Sequence, residues 1–350
     1  MKLLLPLAVF LVCLHHITAS SYKLKLSKES SCKVDPAFLS VAIGAGEIEK
    51  KWKYVDFTSA KLKKLLRGLH PAYLRLGGTK ANFIIFKDDE ESYDYDDESE
   101  FYRPMTKEEL EEWKKKKAEK LKNYKNFTMT RHDLDNVYQL AADAKLKLIF
   151  DFNAFLRDAN NVWDPTNAVK ILDYAAQRNY SITWQLGNEP NSYGKFGKHR
   201  KLTGTQLGMD YKRLKKILNS NPKYGRPKLI GPESVRPRGK DKEEKFISDF
   251  LIEAKDAISA LTWHQYYIDG KLATPEDFID PDVLEEFRIQ NEKIDRAAQT
   301  GGYSGSVWLT ETGSAWGGGA DGASNRYVAG FPFLDKLGIA AKYCRKVVVR

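Results

Sequence analysis

The stretch Ser181-Ile182-Thr183-Trp184-Gln185-Leu186-Gly187-Asn188-Glu189-Pro190-Asn191 decides the fold. Its first six residues read as a strand. Pro190 has no N–H to give a sheet ladder, so the strand stops at the Asn188–Glu189 pair. A carboxylate with an amide donor beside it, at the C-terminal end of a strand, suits a (β/α)8 barrel hydrolase, whose sites gather on that face. The setting returns at Ser306-Val307-Trp308-Leu309-Thr310-Glu311, followed by Thr312 and a glycine run. Two carboxylates on separate strand ends meet the needs of glycoside hydrolysis, one as proton donor and one as nucleophile or base. Taken singly, either Glu also fits a structural role at a strand end.

Outward from these motifs, eight strand-like runs follow one another: Ala37 to Ile43, Ala72 to Leu76, Leu146 to Phe152, Ser181 to Leu186, Lys228 to Ile230, Ser259 to Tyr267, Val307 to Thr310 and Val347 to Val349. Helical patterns lie between most of them, at Ser59 to Arg67, His132 to Ala144, Asn167 to Arg178, Gln206 to Leu218, Lys242 to Lys255, Pro275 to Ala298 and Asn325 to Lys342. The strands are continuous β-branched and aromatic runs, as expected when both faces are buried. Alternation of that kind predicts parallel βαβ units, and eight of them predict a closed (β/α)8 TIM barrel. An open doubly wound sheet is the alternative. It usually carries a glycine-rich phosphate turn after its first strand, and Gly44-Ala45-Gly46 lacks the third glycine and a helix start.

Two features break the rhythm. Between Phe86 and Asn126 lies an insertion with an acidic block, Asp88 to Glu98, and a helix-like Lys-rich stretch, Thr106 to Lys125. Like-charge blocks stay solvated and rarely pack. The chain also reaches Arg350 inside its eighth strand. The barrel is therefore expected to be incomplete at the eighth β/α unit, with an unpaired edge there. The expected organisation is a signal peptide at 1–20 and the first part of the barrel (strands 1–2) at 21–86. A charged, excisable linker at 87–125 and the remainder of the barrel (strands 3–8) at 126–350 follow.

Lys2, the apolar run Leu3 to Leu14 and the small residues Thr18-Ala19-Ser20 compose a secretory signal. That run is too short to span a bilayer, and no transmembrane segment is expected. The destination is then extracellular or the lysosomal lumen. Cys13 leaves with the signal, while Cys32 and Cys344 either bridge or stay free, which spacing cannot decide. So few cysteines exclude a disulfide scaffold and a cysteine zinc motif; no metal and no cofactor are expected. Asn126-Phe127-Thr128 and Asn179-Tyr180-Ser181 are glycosylation sequons. The net charge of +10 points to an acidic partner, a sulfated polysaccharide or membrane surface before nucleic acid. Excess Lys serving solubility alone is the competing reading.

Four motifs in order carry a family resemblance. They are Tyr73-Leu74-Arg75-Leu76-Gly77-Gly78-Thr79-Lys80, Gly187-Asn188-Glu189-Pro190-Asn191-Ser192, Trp263-His264-Gln265-Tyr266-Tyr267 and Glu311-Thr312-Gly313-Ser314-Ala315-Trp316-Gly317-Gly318-Gly319. The chain resembles the heparanases, retaining (β/α)8 endo-β-glucuronidases that cut heparan sulfate, in register from about Phe38 to Arg350. In that family a β-sandwich domain follows the barrel, and it is absent from this sequence. The resemblance implies Glu189 as proton donor and Glu311 as nucleophile, with Glu189 resting protonated and Glu311 ionised. Mutual repulsion of the two should raise the pKa of one. It further implies Asn188 as donor to the sugar 2-OH, or else a turn residue before Pro190. His264 and Tyr266 would orient Glu311 and line the sugar site, although a lone strand His also fits a core residue. Gly317 and Gly318 would offer backbone donors to the uronate carboxylate, or form a loop tip. Thr79 and Lys80 would approach the sugar.

By the same resemblance Lys195, Arg238 and Lys271 bind sulfates, Lys271 where Arg is usual. Lys122, Lys125 and Arg131 match a first heparin-binding stretch, and Lys240 and Lys242 extend a second; singly, each also fits a solvated surface charge. The resemblance also implies heparan sulfate or heparin as partner, and a small–large fragment heterodimer after linker excision. Three positions depart from the family: Gly44 stands for an Asp, Arg236 for a Gln and Trp316 for a Tyr. The alternative is a catalytically weak or inactive heparan sulfate binder, or a gene fragment.

Overall fold

A computed structural model describes residues 23, 28–30, 32–87, 106–239 and 241–350. The expected signal at 1–20, the acidic block at 88–98 and Lys240 lie outside the described residues. The chain divides into two compact units, Met1–Ser31 and Cys32–Arg350. The second carries the fold.

Eight strands form its frame: β1 Leu39–Gly44, β2 Tyr73–Gly77, β3 Lys147–Phe152, β4 Ile182–Leu186, β5 Ile230–Ser234, β6 Ala260–Gln265, β7 Ser306–Thr312 and β8 Val348–Val349. They pair in parallel in the order β4-β3-β2-β1-β8-β7-β6-β5. A parallel bridge between Trp184 and Leu229 brings the two ends of that order together. A four-residue helix, Gly46–Glu49, begins at the glycine turn where no helix start was expected; the longer helices are α1 Ala60–Arg67, α2 Lys107–Lys122, α3 Arg131–Asp143, α4 Thr166–Gln177, α5 Gly204–Ser220, α6 Lys242–Ala254, α7 Pro281–Thr300 and α8 Gly330–Lys342. Each pair of successive strands is joined by at least one of these helices, and α2 is a second one, with α3, between β2 and β3. The expected α/β barrel is the fold.

Period-two alternation sorts each strand into two faces. Leu74 and Leu76, Phe150 and Phe152, and Trp184 and Leu186 face outward into the large cluster shared with the helices. Tyr73, Ile149, Ile230, Ala260, Trp308 and Val349 form a separate apolar layer inside the ring. Above that layer the interior turns polar, with Arg75, Asp151, Gln185 and Thr310 all buried.

The eighth strand corrects one expectation. Val348 pairs with Leu39 and Leu309, and Val349 with Ser40, while the Arg350 amide donates to Ser40 O at 3.0 Å. Val347, Val348 and Val349 are fully buried. Two residues thus fill the gap between β1 and β7 instead of leaving an open edge along it. The fifth strand also differs, running to Ser234 where the sequence reading stopped at Ile230. Pro232 masks its β-pattern.

Part of the insertion is helical, as its Lys-rich stretch suggested. Thr106 and Glu109 form a capping box that starts α2. Leu110 is buried and Trp113, Lys117 and Leu121 are half-buried at helical spacing, so one stripe packs. It rests on the turn Pro190–Phe196. Lys114 to Lys116 face water. Ile84–Phe86 pairs in parallel with Phe127–Met129, so the chain leaves for this segment and returns from it at adjacent positions.

Cys32 and Cys344 form a disulfide with Cα atoms 5.5 Å apart. It ties the segment before β1 to the segment before β8. A chain cut at an engineered protease site between Lys87 and Thr106 should therefore migrate as one species in non-reducing gels and as two after reduction. Two fragments without reductant would show that the bridge does not form.

Candidate active site

Glu189 is held in an unusual place. Its backbone lies in the left-handed region (φ 55°, ψ 52°), a conformation costing a non-glycine residue about 1–3 kcal/mol. The preceding Gly187 has φ 83°, and a Cβ there would stand 2.3 Å from the Tyr193 hydroxyl, so only glycine fits. Hydrogen bonds fix the turn. The Glu189 amide donates to Glu233 O at 2.9 Å, and the Asn188 amide donates to Asn82 Oδ1 at 3.0 Å. Asn82 Nδ2 returns a bond to Asn188 O at 3.0 Å, and the Tyr193 hydroxyl steadies Asn82 at 2.6 Å.

Glu311 arrives by a bulge. The register of β7 on β6 shifts between Leu309, opposite Trp263, and Glu311, opposite His264. Strict alternation would send either Thr310 or Glu311 outward. With the bulge both face the interior: Thr310 Oγ1 donates to Glu233 Oε1 at 2.8 Å, and Glu311 accepts from the Tyr266 hydroxyl at 3.1 Å. A similar irregularity in β5, between Gly231 and Ser234, turns Glu233 inward. Bulges re-aim side chains next to sites in this way.

At the centre lies Arg75, 1% exposed. Its Nη1 donates to Glu311 Oε2 at 2.8 Å, its Nε to Gln185 Oε1 at 2.9 Å, and its Nη2 to Asn188 Oδ1 at 3.0 Å. Nη2 also lies 2.8 Å from Glu233 Oε2 and 3.5 Å from Asp151 Oδ2. Because Arg75 engages Oδ1 of Asn188, Nδ2 is the end turned to donate elsewhere. His264 sits among the same acids. Its Nε2 is 2.8 Å from Glu233, and its Nδ1 is 3.4 Å from Glu189 and 3.8 Å from Glu311. Lys195 Nζ lies 3.1 Å from Glu189 Oε2. Three carboxylates (Glu189, Glu233, Glu311) thus meet three basic groups.

The electrostatics follow. Burial alone would lower the His264 pKa, but Glu311, Glu189 and Glu233 outweigh it and raise it to about 10. Burial pushes Asp151 up to about 8 against the pull of Arg75. Burial would raise Glu189 too, yet Lys195 and His264 prevail and hold its carboxyl well below the usual carboxylate range. A cation, Lys195, thus stands on the carboxylate expected to rest protonated. Glu189, His264 and Glu311 place ligand atoms within 4.8 Å of one another, a spacing that also suits a cation.

Other expected site residues are distributed around this cluster. Thr79 opens the short turn after β2. Lys80 is engaged elsewhere, 2.6 Å from Glu49 and over the Tyr124 ring. Gly317 and Gly318 have φ of 82° and 99°, backbone that explains the glycine run. Lys271 is 7% exposed, its ammonium 5.3 Å from the Trp113 ring of α2. Arg238 is exposed, 5.3 Å from the Trp316 ring. Lys122, Lys125, Arg131 and Lys242 are exposed, as are Asn126 and Asn179; Arg131 lies over the Tyr174 ring, outside the cluster. The sequence reading gave no role to Arg75, Asn82, Asp151, Gln185 or Glu233. Their signal was a polar residue at an inward strand position or strand end.

The sequence profile described as glycosyl hydrolase family 79, N-terminal domain, matches residues 51–338. The chain belongs to that family. It is 38% identical over 338 residues to the heparanase of Mus musculus, covering 91% of this chain and 62% of that protein. The chain thus spans about three fifths of the length of that relative. It is 32% identical over 340 residues to a hyaluronoglucuronidase of Hirudo nipponia (92% and 65%) and 32% identical over 352 residues to the inactive heparanase-2 of Mus musculus (91% and 59%). Among solved structures, a 4-O-α-L-rhamnosyl-β-D-glucuronidase from Fusarium oxysporum superposes with a TM-score of 0.62 at 16% identity. It covers 93% of this chain and 65% of that one.

Two tests address the buried cluster of this family 79 chain. Arg75→Met strands buried carboxylates and should cost about 3–5 kcal/mol in denaturant unfolding; a loss below about 1 kcal/mol would show the ion pairs to be near break-even. His264, raised to about 10, gains its folded-state proton relative to an unfolded imidazole titrating near 6.5. Its stabilisation is fully present below about pH 6.5 and is lost as pH rises through about 10. Asp151, raised to about 8, adds a slope of the same sign up to that pH. Unfolding measured from pH 6.5 to 10 should show falling stability, with a shallower fall in His264→Gln; an unchanged slope in the variant would contradict the assignment.

Proposed function

We propose that the chain is the barrel of a secreted or lysosomal endo-β-glucuronidase that hydrolyses heparan sulfate with retention. Glu189 is the acid/base and Glu311 the nucleophile. The carrying observation is spacing: one carboxylate oxygen of Glu189 and one of Glu311 lie within 4.8 Å of each other. Retaining glycosidases hold their carboxyl groups about 5–5.5 Å apart, against about 6.5–9.5 Å for inverting ones. Arg75 and Tyr266 donate to Glu311, which stabilises the carboxylate that attacks the anomeric carbon. Asn188, steered by Arg75, presents a donor to the sugar 2-OH. Relatives bear the names heparanase and hyaluronoglucuronidase; the charge of +10 favours the sulfated polymer.

The acid needs a proton it does not hold at rest. Lys195 is both the cation on Glu189 and a proposed sulfate ligand. Drawing it onto a substrate sulfate removes the largest influence that keeps Glu189 ionised. The packing of α2, with Trp113 beside Lys271 and Lys117 beside Gly317, supports the reading that residues 87–125 are an excisable cover over the cleft. Excision would leave a small–large fragment pair. Exposure of Asn126 and Asn179 is compatible with their glycosylation.

A second reading, a weak or inactive heparan sulfate binder, draws on Gly44. A Cβ there meets nothing within 4 Å, so the acceptor that the resemblance places at this position is missing from open space. Cleavage of heparan sulfate, followed by size exclusion, tests both. Glu189→Ala and Glu311→Ala should each reduce turnover about 10²–10⁴-fold while heparin binding persists. Gly44→Asp should raise kcat/KM up to about tenfold, the worth of one hydrogen bond. Cleavage undiminished without Glu311 refutes the assignment. No cleavage before or after release of the 87–125 segment, with heparin still bound, selects the second reading.

A further inference from the structure

Lys336 lies in the middle of α8 and is 1% exposed. Its ammonium donates to Gln265 O and Gly313 O, each at 3.4 Å, and to the Thr312 hydroxyl. That hydroxyl in turn donates to Gln265 O. Lys336 Nζ also lies 4.3 Å from the Tyr267 ring and 5.5 Å from the Phe287 ring. All three acceptors are neutral oxygens. The adjacent acid, Asp335, accepts from the Tyr267 hydroxyl at 3.3 Å.

An ammonium in such a place is costly, because neutral oxygens and ring faces replace only part of its hydration. Burial holds its pKa well below the usual lysine range; Arg236 and Arg350 lower it further, and Asp335 opposes them. A methionine would fill much the same volume without that cost, so packing alone does not call for a lysine. The three acceptors do. Strand β6 ends at Gln265 and β7 at Thr312, and these two are partners one step beyond the pairing of His264 with Glu311. The bulge between Leu309 and Glu311 lies just before that step, and a bulge leaves the ladder locally disrupted. Lys336 therefore anchors the Glu311 segment on the side away from the bulge. The same ammonium holds Gly313, where an added Cβ would stand 2.9 Å from the Tyr266 ring. Tyr266 donates to Glu311 at 3.1 Å. A line of contacts thus runs from α8 through Gly313 and Tyr266 to the carboxylate.

We propose that Lys336 is a positioning residue for Glu311: it fastens the last pairing of β6 with β7 beyond the bulge and, through Gly313 and Tyr266, aims the carboxylate. The proposal rests on the reading of Glu311 as the nucleophile.

Lys336→Met tests it, with a heparan sulfate octasaccharide as substrate. Turnover should fall by up to about 10²-fold, the cost of a small misplacement of a reacting group, and kcat and kcat/KM should fall together. Calorimetric affinity for the octasaccharide, read in a Glu189→Ala background so that nothing is cleaved, should stay at the parent's value. The thermal midpoint should equal or exceed the parent's. Thr312→Val removes the shared hydroxyl and should lower kcat in the same way; Thr312→Ser keeps it and should recover most of that loss. Because the two side chains make one contact, adding Thr312→Val to Lys336→Met should cost little more. Undiminished kcat in Lys336→Met, or a loss that tracks weaker binding or a lowered midpoint, would overturn the proposal. If the parent itself does not cleave, the nucleophile reading fails separately. Amide exchange over residues 311–316 should then still run about tenfold faster in Lys336→Met at an unlowered midpoint, and equal exchange would sink the fastening as well.

Discussion

Everything in the cleft hangs on one buried guanidinium. From β2, Arg75 reaches Glu311, Glu233, Asp151, Asn188 and Gln185 at once, so it sets the separation of groups delivered by β3, β4, β5 and β7. A lysine ammonium could not span them, because the planar fork fixes the directions as well as the charge. The ring of strands in turn supplies what the guanidinium requires. Its lower interior is filled by Tyr73, Trp308, Val347 and Val349, which exclude water beneath the charges. In that low-dielectric setting each pair is felt strongly.

The site is assembled by departures from regular strand geometry. A left-handed Glu189, a bulge at Thr310–Glu311 and an irregular β5 at Glu233 each place an acid where ordinary alternation would not. These are conformations that only a rigid surround sustains. Here the surround is the Asn82–Tyr193 pair beneath Gly187 and the barrel ladder on both sides. Lys195 and His264 both stand beside Glu189 and favour its ionised form.

Much of this was legible in the sequence, for a reason visible residue by residue. The runs at β2, β3, β4 and β6 are buried on both faces, so their apolar character survives without alternation and their boundaries fall within a residue or two. Glu189 and Glu311 announced themselves through Pro190 and the glycine run. Glu233 did not, because Pro232 cut short a strand that continues to Ser234. Arg75 stood in plain view between Leu74 and Leu76, yet its partners are up to 236 residues away along the chain, and single-strand patterns do not name partners. The contacts of Glu189 with Lys195 and His264 were hidden for the same reason: the two bases come from different elements, and their shared carboxylate is a product of folding. The pairing of Cys32 with Cys344 likewise needed closure of the ring.

The central claim is that the Arg75 scaffold sets Glu189 and Glu311 at a separation that permits direct attack by the nucleophile. Proton NMR of the first product released from a heparan sulfate oligosaccharide reads this directly, before mutarotation. The account requires the new glucuronate reducing end to appear first as the β-anomer. First appearance of the α-anomer would mean that water attacks in place of Glu311, and the account would fail.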